Sequence, residues 1–221
     1  MNSNLNQISD GRLYRDNDMV RIGSHDCEGC AECCTGMGQS ILVDPYDVYL
    51  LSQNLNTDFA TLVNEGKLEL ALHEGLMLPN LKMRLISLEN GGLQGCGFLS
   101  NQGRCTIHGF RPGICRLFPL GRNYEDNSLK YFVLRDACSA ENLEKVKISK
   151  WLGYPNIKEY QQYLVEWHSL VKQVRGIVEQ ADDEKFATSV MTGFVNLFFM
   201  QPYSDEKFFE EFYERQESLF G

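Results

Sequence analysis

The sequence predicts an α+β fold, in which a small irregular β-rich unit carrying the cysteines packs with a mostly helical C-terminal part. Three observations predict it. All eight cysteines lie between Cys27 and Cys138, and the last 83 residues contain none. Between Lys67 and Arg135, apolar residues come in short or alternating runs punctuated by Gly91-Gly92, Gly103, Gly113 and Asn123, a pattern of short strands and turns. Beyond Cys138, apolar positions alternate spacings of three and four, the period of a helix with one buried face. A chain of 221 residues buries a core without staples, so cysteines gathered around a metal serve function more than folding.

In chain order, residues 1–24 are a polar lead-in rich in Asn, Asp and Arg, expected to fray. Residues 25–140 form the cysteine-cluster unit and 141–221 the helical extension. Ile41-Leu42-Val43 runs into Asp44-Pro45, an N-cap followed by proline at the first helical position, and predicts a helix to about Leu55. Thr57-Asp58 caps a second, short helix that ends near Gly66, where glycine can take the left-handed conformation. The runs Leu81 to Leu88, Cys96 to Leu99 and Leu129 to Leu134 read as the β segments. Asn156 with Glu159 three residues on resembles a capping box, and it opens a seam of Ile157, Tyr160, Leu164, Trp167, Val171, Val174 and Val178. Two more helices are expected, Asp182 to Met200 and Ser204 to Phe220, the last from a serine cap with Asp205 and Glu206 suited to the helix dipole. Three such helices imply a bundle whose seam packs on its neighbours, with a dimer interface as the alternative.

Composition excludes several classes of function. A net charge of −9 and a pI near 5.0 oppose a nucleic-acid partner, since that affinity rests on Lys and Arg neutralising phosphates. Residues 1–24 hold no apolar leader core, and the longest apolar run, Val195 to Met200, is too short to span a bilayer, so no membrane and a cytoplasmic location are expected. In a reducing cytosol, cysteines are ligands or redox groups before they are disulfides, although their even number keeps disulfides open.

Four cysteines crowd into Cys27-Glu-Gly-Cys30-Ala-Glu-Cys33-Cys34. Cys-x-x-Cys-x-x-Cys is a spacing that wraps one iron–sulfur cube, whereas structural zinc sites pair two separate knuckles. An iron–sulfur cluster, 4Fe-4S first, is the favoured cofactor, with zinc or mononuclear iron as the alternative. Cys34 stands apart in this reading, since adjacent side chains diverge. Cys96, Cys105, Cys115 and Cys138 complete two sites of four, or one closed site and one with an exchangeable position. His25 and His108 are further candidates, the latter in Cys105-Thr-Ile-His108; His73 and His168 have no cysteine near them in sequence and read as structural. No acidic residue occurs between Glu89 and Glu125, yet Arg104, Arg111, Arg116 and Arg122 lie there beside three cysteines. Such arginines offset the negative charge of a thiolate-bound cluster or hold an anionic substrate group.

Cys27-x-x-Cys30-x-x-Cys33-Cys34, followed by Arg111-Pro112-Gly-Ile-Cys115-Arg116-Leu-Phe118-Pro119, resembles the YkgJ-like cysteine-cluster family, described as a zinc- or iron-chelating domain. The likeness covers roughly Asp26 to Cys138. It implies that all eight cysteines are ligands, that Pro112 and Pro119 fix the loop around Cys115, and that Arg111 and Arg116 support the cofactor. The family is also similar to flagellin lysine-N-methylase, which implies a protein or peptide substrate and, by analogy alone, S-adenosylmethionine. No Gly-rich nucleotide loop and no Cys-x-x-x-Cys-x-x-Cys is present, and no catalytic residue is legible. A structural interaction module and an electron carrier or redox sensor are the competing functions.

Overall fold

The structure, a computed structural model, describes residues 5–23, 30–88, 91–125, 127–139 and 143–220. It is α+β. Its strands pair as separate antiparallel two-stranded ribbons rather than one continuous sheet, which is how short runs broken by glycines can pair.

The lead-in does not fray where it is described. Helix α1 (Leu5–Ile8) buries Leu5, Tyr14 exchanges backbone hydrogen bonds with Tyr131 at 2.7 and 2.8 Å, and strand β1 (Met19–Gly23) buries Val20 and Ile22. The alternation of Met19-Val20-Arg21-Ile22 is a strand signal that the polar composition around it conceals.

Helix α2 (Pro45–Leu55) starts at the expected Asp44 cap, and the cap is a reciprocal box. Asp44 Oδ1 accepts the Asp47 N–H at 2.9 Å, and Asp47 Oδ2 accepts the Asp44 N–H at 3.2 Å. Helix α3 (Phe59–Asn64) starts at Asp58, whose carboxylate accepts the Thr61 N–H at 2.7 Å. Both helices bury apolar residues, including Leu51 and Leu62, in one core with Leu68, Leu76 and Leu81 of the hairpin β2 (Leu68–His73) and β3 (Leu76–Leu81). That hairpin turns through Glu74 and Gly75, both with positive φ, as a two-residue turn between twisted strands requires.

Two further ribbons frame the distal cysteines: β4 (Met83–Leu88) with β5 (Gly91–Cys96), which ends at Cys96, and β6 (Leu120–Glu125) with β7 (Ser128–Val133), with the short helix α4 (Gly113–Leu117), which carries Cys115, between them.

The part beyond Cys138 is mostly helical, as expected, but it opens with a strand that its pattern does not announce. Strand β8 (Glu144–Lys147) pairs antiparallel with β1, and helix α5 (Ile148–Leu152) follows at once. Four residues are too few to show a period, and β8 is set by its pairing with the lead-in. Helix α6 (Ile157–Glu179) begins at Asn156, and α7 (Glu184–Val195) at Asp183, continuing as a π turn over Asn196–Met200. Helix α8 (Phe208–Phe220) starts four residues after the serine proposed as its cap. The Ser204 N–H is instead taken by the Glu211 carboxylate at 3.2 Å, which holds residues 204–207 as an entry turn. The α6 seam faces its own neighbours: Trp167 stacks on Phe194 at 5.4 Å and Tyr163 meets Phe212 edge-on at 4.8 Å.

Candidate metal centre

Four separate segments deliver thiols to one region. Ala31, at a φ of 58°, opens a tight 3₁₀ turn over Glu32–Cys34, closed by the Cys34 N–H on the Ala31 carbonyl at 2.9 Å. The chain then docks on β5 through the Gly36 N–H to the Gln94 carbonyl at 2.8 Å and a bridge between Thr35 and Gly95, two and one residues before Cys96. Cys96 and Cys105 stand on the arms of one loop, joined by the Leu99–Cys105 bridge and by the Thr106 N–H on the Phe98 carbonyl at 2.9 Å. Cys115 sits in α4, whose first residue Gly113 donates its N–H to the Asp47 carboxylate at 2.7 Å, tying the cysteine helix to the cap of α2. A Cβ on Gly113 would collide with the Tyr160 hydroxyl, so only glycine allows this approach.

Cys33, Cys34, Cys96, Cys105 and Cys115 are thereby brought together. The Cys33 and Cys34 sulfurs are 3.9 Å apart, and the charges of Cys33, Cys96 and Cys105 act on Cys115. Cys138 lines a cleft with Cys33, Met37 and Phe118, and its segment is tied to the cysteine turn by the Ser139 N–H on the Glu32 carboxylate at 3.3 Å. Cys30 is exposed. Cys27 and His25 lie outside the described residues. Among the described residues, no three His, Cys, Asp or Glu side chains stand close enough as a group to hold a metal ion.

Burial dominates the electrostatics. It pushes the Cys96, Cys105 and Cys115 thiols above their ordinary range, and the neighbouring sulfurs add to the effect. Cys33 moves the other way, down to about 7, chiefly through a hydrogen bond from Cys34 and assisted by Arg111; Cys34, as the donor, is pushed up. So many buried thiols ionise together only against a cation, which is what a metal supplies. The donor set fits soft thiolate chemistry of zinc or iron, and the Phe98 N–H points at the Cys96 sulfur at 3.5 Å, the kind of amide contact that supports a ligating thiolate.

The arginines divide by role. Burial lowers the Arg111 guanidinium from its ordinary value, while Cys115, Cys105 and Cys33 draw it back up, so its charge is felt at the thiols. Its Nη1 also contacts the His108 ring, which puts His108 beside the centre. Arg116 braces the loop before Cys115. It donates to the carbonyls of Arg111 at 3.0 Å and Gly109 at 2.5 Å and lies over the Tyr154 ring. Arg122 is directed to Tyr160, whose hydroxyl accepts from it at 3.1 Å. The Phe118–Pro119 bond is cis. His73 contacts the Asn80 side chain at 3.3 Å, and His168 stacks on Tyr124 with centroids 4.0 Å apart.

Two features escaped sequence reasoning. Asp44 and Asp47 read as helix caps, yet both are buried, and desolvation with the neighbouring Asp44 charge pushes Asp47 up to about 8. The second is a cavity of about 610 Å³ with Cys33 and Cys115 in its wall, together with Asp47, Arg122 and Trp167. A buried carboxyl beside a helix cap has no sequence signature of its own; the three-residue spacing of Asp44 and Asp47 was the one available signal.

Thiols from four segments gathered around a Cys-Cys turn define a cysteine-cluster protein of the metal-chelating class. The CxxCxxCC family, described as "Putative zinc- or iron-chelating domain", matches residues 26–139, just over half of the chain, and the chain belongs to it. No curated protein and no solved structure matches. Among the described residues, no helix is long and apolar enough to cross a membrane.

Proposed function

We propose that this chain is an iron–sulfur metalloprotein whose cluster is accessible to a small substrate. The observation that carries the reading is the convergence of Cys33, Cys34, Cys96, Cys105 and Cys115 beside a cavity that has Cys33 and Cys115 in its wall. Cys33, Cys96, Cys105 and Cys115 are the first ligands, with Cys138 from the cleft beside them, and Cys27 and Cys30 of the same motif, as further ligands. Cys34 holds Cys33 ionised through their hydrogen bond. Binding draws the thiols inward and displaces their protons. When bound, the cluster supplies electron transfer or Lewis acidity. The chain's own residues supply the rest: Arg111 offsets thiolate charge, Arg116 fixes the loop, and Asp47 holds a proton near Cys115. A cavity at the ligands favours chemistry on a substrate over a purely structural site.

Iron, zinc and acid-labile sulfide measured on protein purified without oxygen test this. Iron with matching sulfide, and broad visible absorption from thiolate-bound iron, support the proposal. Zinc without sulfide replaces it with a closed structural site.

A further inference from the structure

The cavity is elongated, and its two ends differ in chemistry. Leu164, Trp167, His168, Val171, Lys172 and Arg175 all line it from α6, at the i, i+3, i+4, i+7, i+8 and i+11 positions of one helical face. At 1.5 Å per residue this stripe is roughly 16 Å long. Its N-terminal end lies next to Tyr160, which meets Arg122 and Gly113, and so next to the cysteine helix. Its C-terminal end lies at the β2–β3 turn, where Arg175 pairs with Glu74 at 2.7 Å and donates to the His73 carbonyl at 3.4 Å. Between the ends the wall is largely apolar, including Leu78, Ile114, Leu117 and Leu120. The volume falls within the roughly 300–1,000 Å³ usual for small-molecule sites.

The polar groups of the wall have donors to spare. Asp44 Oδ1 and both Asp47 oxygens already accept backbone N–H groups, and Glu74 is paired with Arg175. Lys172, exposed at the same end, is paired with no carboxylate among the described residues, and burial together with the charges of Lys172 and Arg175 lowers the His168 imidazole below its ordinary value, so the positive charge at this end belongs to the lysine and the arginine. Among the described residues, the Nε atoms of Arg175 at this end and of Arg122 at the cysteine end have no acceptor. A ligand for this wall therefore brings negative charge at the Lys172 and Arg175 end and an apolar body along the rest, with room for one further acceptor at Arg122.

We propose that the cavity binds a small amphipathic carboxylate, with its carboxylate at Lys172 and Arg175 and its apolar body running along α6 toward Cys115. Binding needs the cavity alone. That the ligand is presented to the metal centre as its substrate rests in addition on the proposed metal function.

Decanoate is the probe and Trp167, in the cavity wall, the reporter. Titration of the purified, metal-assayed protein should give a saturable change in tryptophan fluorescence that Trp167→Phe removes, since the chain's other tryptophan, Trp151, lies outside the cavity. Lys172→Glu, an exposed substitution, should weaken decanoate about tenfold and leave decanol unchanged. Val171→Phe should weaken both by filling the cavity, in protein whose circular dichroism matches the parent. No saturable change with folded protein, or equal affinity for decanoate and decanol that Lys172→Glu does not alter, overturns the proposal. Decanoate binding in a sample devoid of iron and zinc supports the cavity reading while refuting the metal reading. A metal-replete sample that ignores decanoate does the reverse.

Discussion

The cysteine-bearing unit and the helical bundle solve the same problem by different means. The bundle buries large aromatic side chains, Tyr160, Tyr163, Phe194, Phe198 and Phe212, in contact with one another, and has no cysteine. The cysteine unit is built of short ribbons, an exposed hairpin position at Leu85 and tight loops, and burial with neighbouring sulfurs keeps its Cys96, Cys105 and Cys115 thiols from ionising together. Dispersion and apolar burial hold the first. The second is held in part by polar ties, the Gly113 N–H on the Asp47 carboxylate within it and the Tyr46 N–H on the Tyr163 hydroxyl of the bundle, and it is the part a metal would complete. The difference teaches where stability ends and function begins: the aromatic half positions, and the thiol half binds.

The sharpest way to break this comparison is Cys115→Ser. It should remove most of the bound metal, and hydrogen exchange should rise around Cys96 to Cys115 while α6 to α8 stay protected. Uniform loss of protection would mean that the two regions are one cooperative unit. Phe212→Ala tests the other side. It empties a fully buried position and should cost about 3–5 kcal/mol in denaturant unfolding, with metal per folded chain unchanged.

Arg111→Ala is expected to weaken metal retention about tenfold in a chelator competition, because it removes the cation beside Cys33, Cys105 and Cys115. Arg116→Ala should act more weakly on metal and more on the loop, since its guanidinium holds the Arg111 and Gly109 carbonyls.

A further test is in pH. Asp47 is raised from an ordinary value near 3.8 to about 8, so the folded chain binds this proton more tightly than the unfolded chain does. Its contribution is complete below the unfolded value and is lost as pH rises toward 8. Asp47→Asn should therefore flatten the fall in stability between pH 5 and 8 relative to the parent, read from denaturant midpoints.

Much of this was legible in the sequence. Asp44-Pro45 and Asp58 gave the starts of α2 and α3 because capping is local chemistry, and the three- and four-residue spacing after Asn156 gave α6 because a helix writes its buried face into its own period. Strand β8 was missed because it is short and depends on β1, more than a hundred residues away, and β1 was missed because its three apolar residues stand in a polar segment. Ser204 misled because a serine before acidic residues caps a helix only if the backbone enters it there, and Glu211 holds that serine in a turn. At the site, the crowded cysteines stood out by their spacing and Arg111 by its place in a stretch without acidic residues. The cavity and the buried Asp47 were not, because both arise where α2, α4 and α6 meet, and no local pattern records that meeting.

The most direct test of the central claim is X-ray absorption at the edge of the metal bound to anaerobically purified protein. The account predicts a first shell of sulfur with a second shell of neighbouring iron. A first shell of nitrogen and oxygen alone would contradict it, because the converging cysteines would then not be the ligands.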